Sequence, residues 1–149
     1  MKKKTQVWIF LVLSILCVMF IFSNSLQDRQ TSGSISGVIA ELLQKLLDPH
    51  GRIAPDQFHL IVRKLAHFTE FAMFGFCLCG LCVSLEKQGR CSVLLIAPIT
   101  AVADELLQSL NDRHPAVTDV LIDCGGALFG MAALLLLRWL LQFVRRMKG

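Results

Sequence analysis

Cysteines are absent from the long polar segment between the first and second apolar runs of this sequence. All six cysteines fall in or beside apolar runs: Cys17, Cys77, Cys79, Cys82, Cys91 and Cys124. A disulfide framework is therefore not expected, because it needs paired cysteines that an oxidising compartment can reach. Cys79 and Cys82 have CxxC spacing, but no histidine or further cysteine accompanies them as a metal ligand, so we interpret both as small packing residues.

Charge is also scarce. Charged residues make up 17% of the chain, and the net charge of +4 is not arranged as a basic stripe with interleaved aromatic residues. Such a stripe is typical of nucleic-acid-binding proteins, so we expect no nucleic-acid partner. The sequence also lacks the ten-residue alternation of apolar and polar residues that is typical of membrane β-barrels.

Long apolar runs are what the sequence does contain. Hydrophobic residues form 54% of the 149 residues, more than an ordinary soluble domain carries, and they concentrate in four runs. Each run approaches the roughly 20 residues that a helix needs to cross a bilayer. The sequence predicts an all-α polytopic bundle, one domain over 1–149, with spans at 7–26, 65–85, 92–110 and 116–141. Gly126 and Gly130 form a GxxxG pair, which favours close helix packing.

Basic residues indicate the orientation of these spans. They precede the first span, lie between the second and third, and follow the fourth, at Lys2 to Lys4, Lys87 and Arg90, and Arg145 to Lys148. By the positive-inside rule, both termini are predicted to be cytoplasmic, in a multi-pass protein of the cytoplasmic membrane. The opposite side would carry an amphipathic helix at 35–47, which lies either on the outer leaflet or over the mouth of the bundle. A further helix is predicted to begin at Pro55 and run into the second span.

Besides Arg138 near the end of the fourth run, six ionisable residues interrupt the apolar runs. They are His67 and Glu70 in the second, Asp104 and Glu105 in the third, and Asp119 and Asp123 in the fourth. Each charged side chain at a span centre costs about 2.5 to 3.5 kcal/mol by insertion scales, so these groups are expected to face one another, water or a counter-charge. With the predicted orientation, all of them lie in the outer half of the membrane, up to roughly 10 Å below its surface.

Their spacing predicts a pocket that opens outward. Arg63, His67 and Glu70 are four and three residues apart, so they share one face of a helix. The pairs Asp104 with Gln108, and Asp119 with Asp123, are each four apart. The predicted binding residues are Arg63, Lys64, His67, Glu70, Asp104, Glu105, Gln108, Arg113, Asp119 and Asp123. No catalytic residue is assigned.

The predicted pocket has an excess of negative charge. Five carboxyl groups face three fixed cations, namely Arg63, Lys64 and Arg113. The excess must be relieved by bound protons, a bound cation or a cationic ligand group. A divalent metal held by His67 and the acids is one solution, although no cofactor is assigned. The alternative is a purely structural network that holds the helices together.

The same residues resemble those of a known family. The segments Phe22-Ser23-Asn24-Ser25, Arg63 to Phe71 and Asp104 to Gln108, followed by Arg113, Asp119, Asp123 and Gly126, are together similar to the VanZ-like family over nearly the whole chain. The resemblance implies a small bacterial membrane protein of the cell envelope, associated in some members with resistance to the glycopeptide teicoplanin. It implies no established reaction.

Two functions are compatible with such a pocket. The first is that of a non-enzymatic envelope protein whose pocket binds a polar headgroup, with membrane lipids and a lipid-linked or glycopeptide ligand as partners. The rival is a metal-dependent hydrolase or transferase that acts on a lipid-linked phosphate. A transporter is disfavoured, because the inner halves of the spans lack polar residues from which a second gate could form. The sequence does not determine an oligomeric state.

Overall fold

The computed structural model describes residues 2–26, 37, 40–48, 50, 52–85, 90–110 and 116–148. Five helices have defined bounds: α1 (Lys2–Ser25), α3 (Pro55–Ser84), α4 (Arg90–Leu94), α5 (Ile96–Ser109) and α6 (Val117–Lys148). Between α1 and α3, residue 37 and residues 40–47 are helical, and we call the segment 40–47 α2. The described residues contain no β-strand, so the all-α prediction is confirmed for them.

Four helical stretches are long and apolar enough to cross a membrane. They are Lys3–Ser25, Pro55–Ser84, Ser92–Ser109 and Val117–Lys148. The prediction of four helices that can span a membrane is therefore confirmed for the described residues. α6 continues to Lys148, past the end of the predicted span at residue 141. A helix need not stop at the membrane boundary, because its backbone hydrogen bonds are internal on both sides.

The segment before the second span is ordered by short polar contacts. Asp48 accepts hydrogen bonds from the backbone N–H groups of Arg52, at 3.0 Å, and Ile53, at 2.7 Å. α3 then begins with proline at its first position, carries Asp56 in its first turn, and continues unbroken to Ser84. Proline lacks the N–H that would be unpaired at a helix start, and an acid favours the positive end of the helix. The predicted continuous helix from Pro55 is confirmed.

The third span is interrupted at Leu95, between α4 and α5. Pro98 explains this break. It has no N–H to donate to the carbonyl group of Leu94, and its ring crowds that carbonyl group. Leu95 instead donates to the carbonyl of Ser92, at 3.2 Å, which tightens this turn. The sequence predicts one uninterrupted span here, and the structure adds the interruption.

α3 lies at the centre of the bundle and packs most extensively against α6 and α1. Glycines allow α3 and α6 to approach closely. A Cβ atom at Gly126 would collide with the carbonyl oxygen of Phe68, and one at Gly130 with that of Ala72. Because side chains larger than hydrogen do not fit at either position, the predicted packing role of this GxxxG pair is confirmed.

One apolar core joins the spans. It consists of Ile21 of α1, Phe71, Phe74 and Leu78 of α3, Ala97 and Ala101 of α5, and Ala127 of α6. Glu70 precedes Phe71, Asp104 follows Ala101 by one turn, and Asp123 precedes Ala127 by one turn. The core therefore borders directly on the ionisable residues. Of the cysteines, Cys17, Cys77, Cys79, Cys82 and Cys124 are free thiols, and Cys91 is not among the side chains described.

Candidate functional site

The polar residues of the four spans meet at one end of the bundle. They come from the last residues of α1, the first half of α3, the end of α5 and the beginning of α6. Successive spans alternate in direction, so these four helix parts lie at the same end. This alternation is the reason why the sequence predicts that the ionisable residues lie at similar depths.

Asp104 is the centre of the cluster and is fully buried, at 0% exposure. Ser25 of α1 donates a hydrogen bond to its Oδ1 atom, and Gln108 donates to its Oδ2 atom at 2.8 Å. The Nδ1 atom of His67 in α3 lies 3.9 Å from the same Oδ2 atom. One carboxylate thus connects α1, α3 and α5.

Arg63 reaches this centre indirectly. Its Nη2 atom donates to Oε1 of Gln108 at 3.2 Å, and Gln108 in turn donates to Asp104. The side-chain amide of Gln108 is well suited to this position, because it offers an acceptor on one side and a donor on the other. The contact confirms that Arg63 and His67, four residues apart, share the face of α3 that points at α5.

Glu70 extends the cluster toward α1. Asn24 donates to its Oε1 atom at 2.9 Å, while its buried Oε2 atom has no hydrogen-bond partner among the described residues. Asn24 and Ser25 are therefore residues of the site. From the sequence, only the family resemblance draws attention to these two residues. Their residue types alone fit a helix-terminal turn as well as a role in ligand binding. The available signal is a run of three polar residues, Ser23 to Ser25, at the end of an apolar span.

Glu105 points in a different direction from Asp104, its neighbour. Its Oε1 atom accepts a hydrogen bond of 2.6 Å from the backbone N–H of Ala116, the residue that precedes α6. The first backbone N–H groups of a helix lack internal partners, so a buried carboxylate satisfies such a donor well. Glu105 thus joins the end of α5 to the start of α6.

Asp123 is buried, at 1% exposure, and neither of its carboxylate oxygens has a hydrogen-bond partner among the described residues. Other buried polar side chains of the spans are satisfied: Ser14, Ser84 and Thr100 each donate to a carbonyl group four residues earlier. The carboxylate oxygens of Asp123 therefore differ from these buried hydroxyl groups, which all have hydrogen-bond partners. A buried polar atom without a partner is costly, which makes this carboxylate the most informative residue of the site.

At the rim, Lys64 and Asp119 form an ion pair of 2.9 Å. Their side chains are 45% and 38% exposed, so the pair contributes little to stability. This contact brings α3 and α6 together above Asp123, one turn further along α6.

The structure brings together most of the predicted binding residues. Arg63, His67, Asp104 and Gln108 form one connected group, with Glu70 and Asp123 beside it, Glu105 at the α6 start, and Lys64 with Asp119 at the rim. Arg113 lies outside the described residues. His67, Asp104 and Asp123 are the three residues whose ligand atoms are close enough together to hold a metal ion, within the part of the chain described.

Comparison of the chain with curated proteins and with solved structures gives no match. A family model described as VanZ/LLP1 matches residues 8–138. This range includes the second and third spans, most of the first and fourth, and every described residue of the polar cluster. With most of its length matched, the chain belongs to the VanZ/LLP1 family.

Proposed function

We propose that this protein is a cell-envelope membrane protein whose polar cluster faces the outer side of the cytoplasmic membrane and binds a polar headgroup there. The ligand would be a lipid or a lipid-linked cell-wall precursor. The observation that carries the proposal is the set of buried carboxylate oxygens without donors among the described residues, on Glu70, Glu105 and Asp123. Intramembrane acids are costly, and their retention favours a functional role.

The cluster offers complementary groups to a zwitterionic headgroup. Arg63 and Lys64 lie on the side of the cluster nearer the start of α3, where a phosphate group could reach them from the membrane surface. Guanidinium and ammonium groups bind phosphate through charge-assisted hydrogen bonds. The unpaired oxygen of Glu70 lies about two turns deeper along α3 and would accept a hydrogen bond from an amine. The proposed ligand therefore carries both a phosphate and an amino group.

Outward orientation is supported by the distribution of cations. Lys3 and Lys4 lie in the first turn of α1, and Arg145, Arg146 and Lys148 lie in the last turn of α6, at the end of the bundle opposite the polar cluster. Lysine and arginine at the ends of spans favour the cytoplasmic side. The polar cluster would then face the outer leaflet, where headgroups of lipids and of lipid-linked precursors can reach it.

Ligand-induced thermal stabilisation tests the proposal. The full chain, purified in neutral detergent, is heated with lipids that carry a phosphoethanolamine headgroup, a bare phosphate, or no phosphate. We expect the midpoint of unfolding to rise most with phosphoethanolamine, since saturation at 100 times Kd adds about 2.7 kcal/mol. Arg63→Gln should abolish most of this rise.

Arg145→Gln is the matched control, because it removes the same charge from the far end of α6. It should leave the lipid-induced rise intact. Equal responses to all three lipids, or equal responses of the two arginine variants, would show that the detergent-lipid environment and not the cluster causes the effect.

We propose further that headgroup binding underlies any effect of this protein on teicoplanin tolerance. In a bacterial host that expresses the chain, Glu70→Ala should remove any gain in the minimum inhibitory concentration at unchanged protein level. Glu41→Ala, which changes an exposed acid of α2, should keep the gain. Loss of resistance that simply follows loss of protein would instead favour a structural role for Glu70.

A further inference from the structure

Three side chains of metal-ligand type come from three different helices: His67 of α3, Asp104 of α5 and Asp123 of α6. Each offers one ligand atom, and these atoms all lie within 4.8 Å of one another. Zinc bonds to imidazole nitrogen and carboxylate oxygen are about 2.0–2.2 Å long, which places the ligand atoms of one ion roughly 3–3.5 Å apart. Small side-chain rotations would therefore close this group around a single ion.

Asp123 provides an independent indication of a ligand. It is 1% exposed, and neither oxygen accepts a hydrogen bond from any described residue. Packing alone does not require an acid at this position, because Ala127, one turn later in α6, is part of the apolar core. A bound cation would satisfy both the charge and the lone pairs of Asp123.

Asp104 is already positioned as a ligand would be. Ser25 and Gln108 each donate to one of its oxygens, and Arg63 fixes Gln108 from the other side. Metal-bound carboxylates are commonly held by such outer hydrogen bonds, which set their orientation. Each oxygen keeps a second lone pair, so these hydrogen bonds leave Asp104 able to bind an ion.

The charge and the donor types decide the class of ion. Two carboxylates and a neutral imidazole carry a charge of −2, which one divalent cation neutralises. The nearby cations have other partners: Arg63 donates to Gln108, and Lys64 pairs with Asp119. An imidazole nitrogen favours a transition metal over calcium or magnesium, which prefer oxygen ligands only.

We propose that His67, Asp104 and Asp123 bind one divalent transition-metal ion, with zinc as the preferred member of this class. Three protein ligands leave at least one coordination position for water or for an atom of a bound molecule. The site goes beyond headgroup binding and does not depend on it, since its ligands differ from the rim cations that would hold a phosphate.

Metal binding by the purified full chain tests this proposal. After removal of bound metal with a chelator, titration with Zn²⁺ should show one tight site and raise the midpoint of thermal unfolding. Co²⁺ should give visible d–d absorption bands of a site with one nitrogen and several oxygen ligands. Asp123→Asn, which keeps the shape of the side chain, and His67→Gln should each weaken Zn²⁺ binding at least about 100-fold, because loss of outer contacts alone costs 10–100-fold.

Asp56→Asn is the control, because it makes the same chemical change at an exposed acid in the first turn of α3, outside the polar cluster. It should bind Zn²⁺ as the unmodified chain does. The proposal is wrong if the unmodified chain shows no stoichiometric site, or if Asp123→Asn and Asp56→Asn bind Zn²⁺ equally. Should Asp123→Asn fail to fold, His67→Gln and the Co²⁺ spectrum of the unmodified chain decide the matter, and Arg63→Gln tests headgroup binding separately.

Discussion

The hydroxyl group of Ser25 donates to Oδ1 of Asp104, and both residues are fully buried. Replacing Ser25 with alanine would leave this carboxylate oxygen without the donor. Loss of a buried hydrogen bond to a charged group costs about 1–3 kcal/mol. We expect Ser25→Ala to lower the free energy of unfolding by this amount, as measured by denaturant titration in detergent micelles.

Ser23→Ala is the control for this change, because Ser23 lies two residues earlier on the exposed side of α1. It should leave the free energy of unfolding within about 0.5 kcal/mol of the unmodified value. If both serines prove equally important, or equally unimportant, then Ser25 does not act through Asp104.

For single residues, the sequence predicts relations within one helix better than contacts between helices. The spacing of Arg63, His67 and Glu70 is enough to place them on one face of α3. No spacing relates Asn24 to Glu70, because 46 residues separate them and the contact depends on how α1 packs against α3. Likewise, the sequence predicts that the side chains of Asp104 and Glu105 point about 100° apart around the helix axis. It does not predict that Glu105 contacts Ala116.

Among the elements, α3 and α6 are in contact through Gly126, next to the site. A methyl group at this position would collide with the Phe68 carbonyl oxygen and lie 3.1 Å from its carbonyl carbon, both of which are backbone atoms that cannot rotate away. We expect Gly126→Ala to lower the free energy of unfolding by about 1–3 kcal/mol, as other overpacked cores do. Asp123 lies one turn before Gly126, so separation of the helices should also weaken Zn²⁺ binding.

The neighbouring glycine supplies the control. A Cβ atom at Gly125 would meet only the ring of Phe68, at an ordinary contact distance of 3.9 Å. Gly125→Ala should therefore be tolerated, and the alanine's better helix propensity favours it. Thermal unfolding of the two variants side by side measures the difference, and similar midpoints would contradict the close approach at Gly126.

Glu105 permits a second prediction about an element. Its contact with the Ala116 N–H holds the first turn of α6 against α5. Glu105→Ala should increase hydrogen exchange at the first backbone amides of α6, because their nearest anchor is lost. Glu105→Gln keeps an oxygen acceptor and should retain most of the protection. Equal exchange in both variants and the unmodified chain would show that the contact does not hold α6.

The elements also differ in how far the sequence predicts them. The apolar runs and the start of α3 at Pro55 are predictable, since run length and proline position report directly on helices. The break at Leu95 does not follow from run length, because the run remains apolar through Pro98, and only the missing N–H group of that proline signals it. The exposed face of α2, with Leu42, Leu46 and Leu47, fits either predicted location of the amphipathic helix.

For the molecule as a whole, the orientation in the membrane decides what the polar cluster can reach. The cluster and the terminal cations lie at opposite ends of the bundle. We expect green fluorescent protein fused after Lys148 to fluoresce, because the fusion would stay in the cytoplasm. Alkaline phosphatase, which folds only outside, should be active when fused after Arg52 and inactive when fused after Lys148. The opposite pattern would place the cluster on the cytoplasmic side, where it meets lipid headgroups of the inner leaflet but no glycopeptide. That result would exclude the proposed link to teicoplanin. It would not affect the proposed metal site, because Zn²⁺ binding by the purified chain does not depend on orientation.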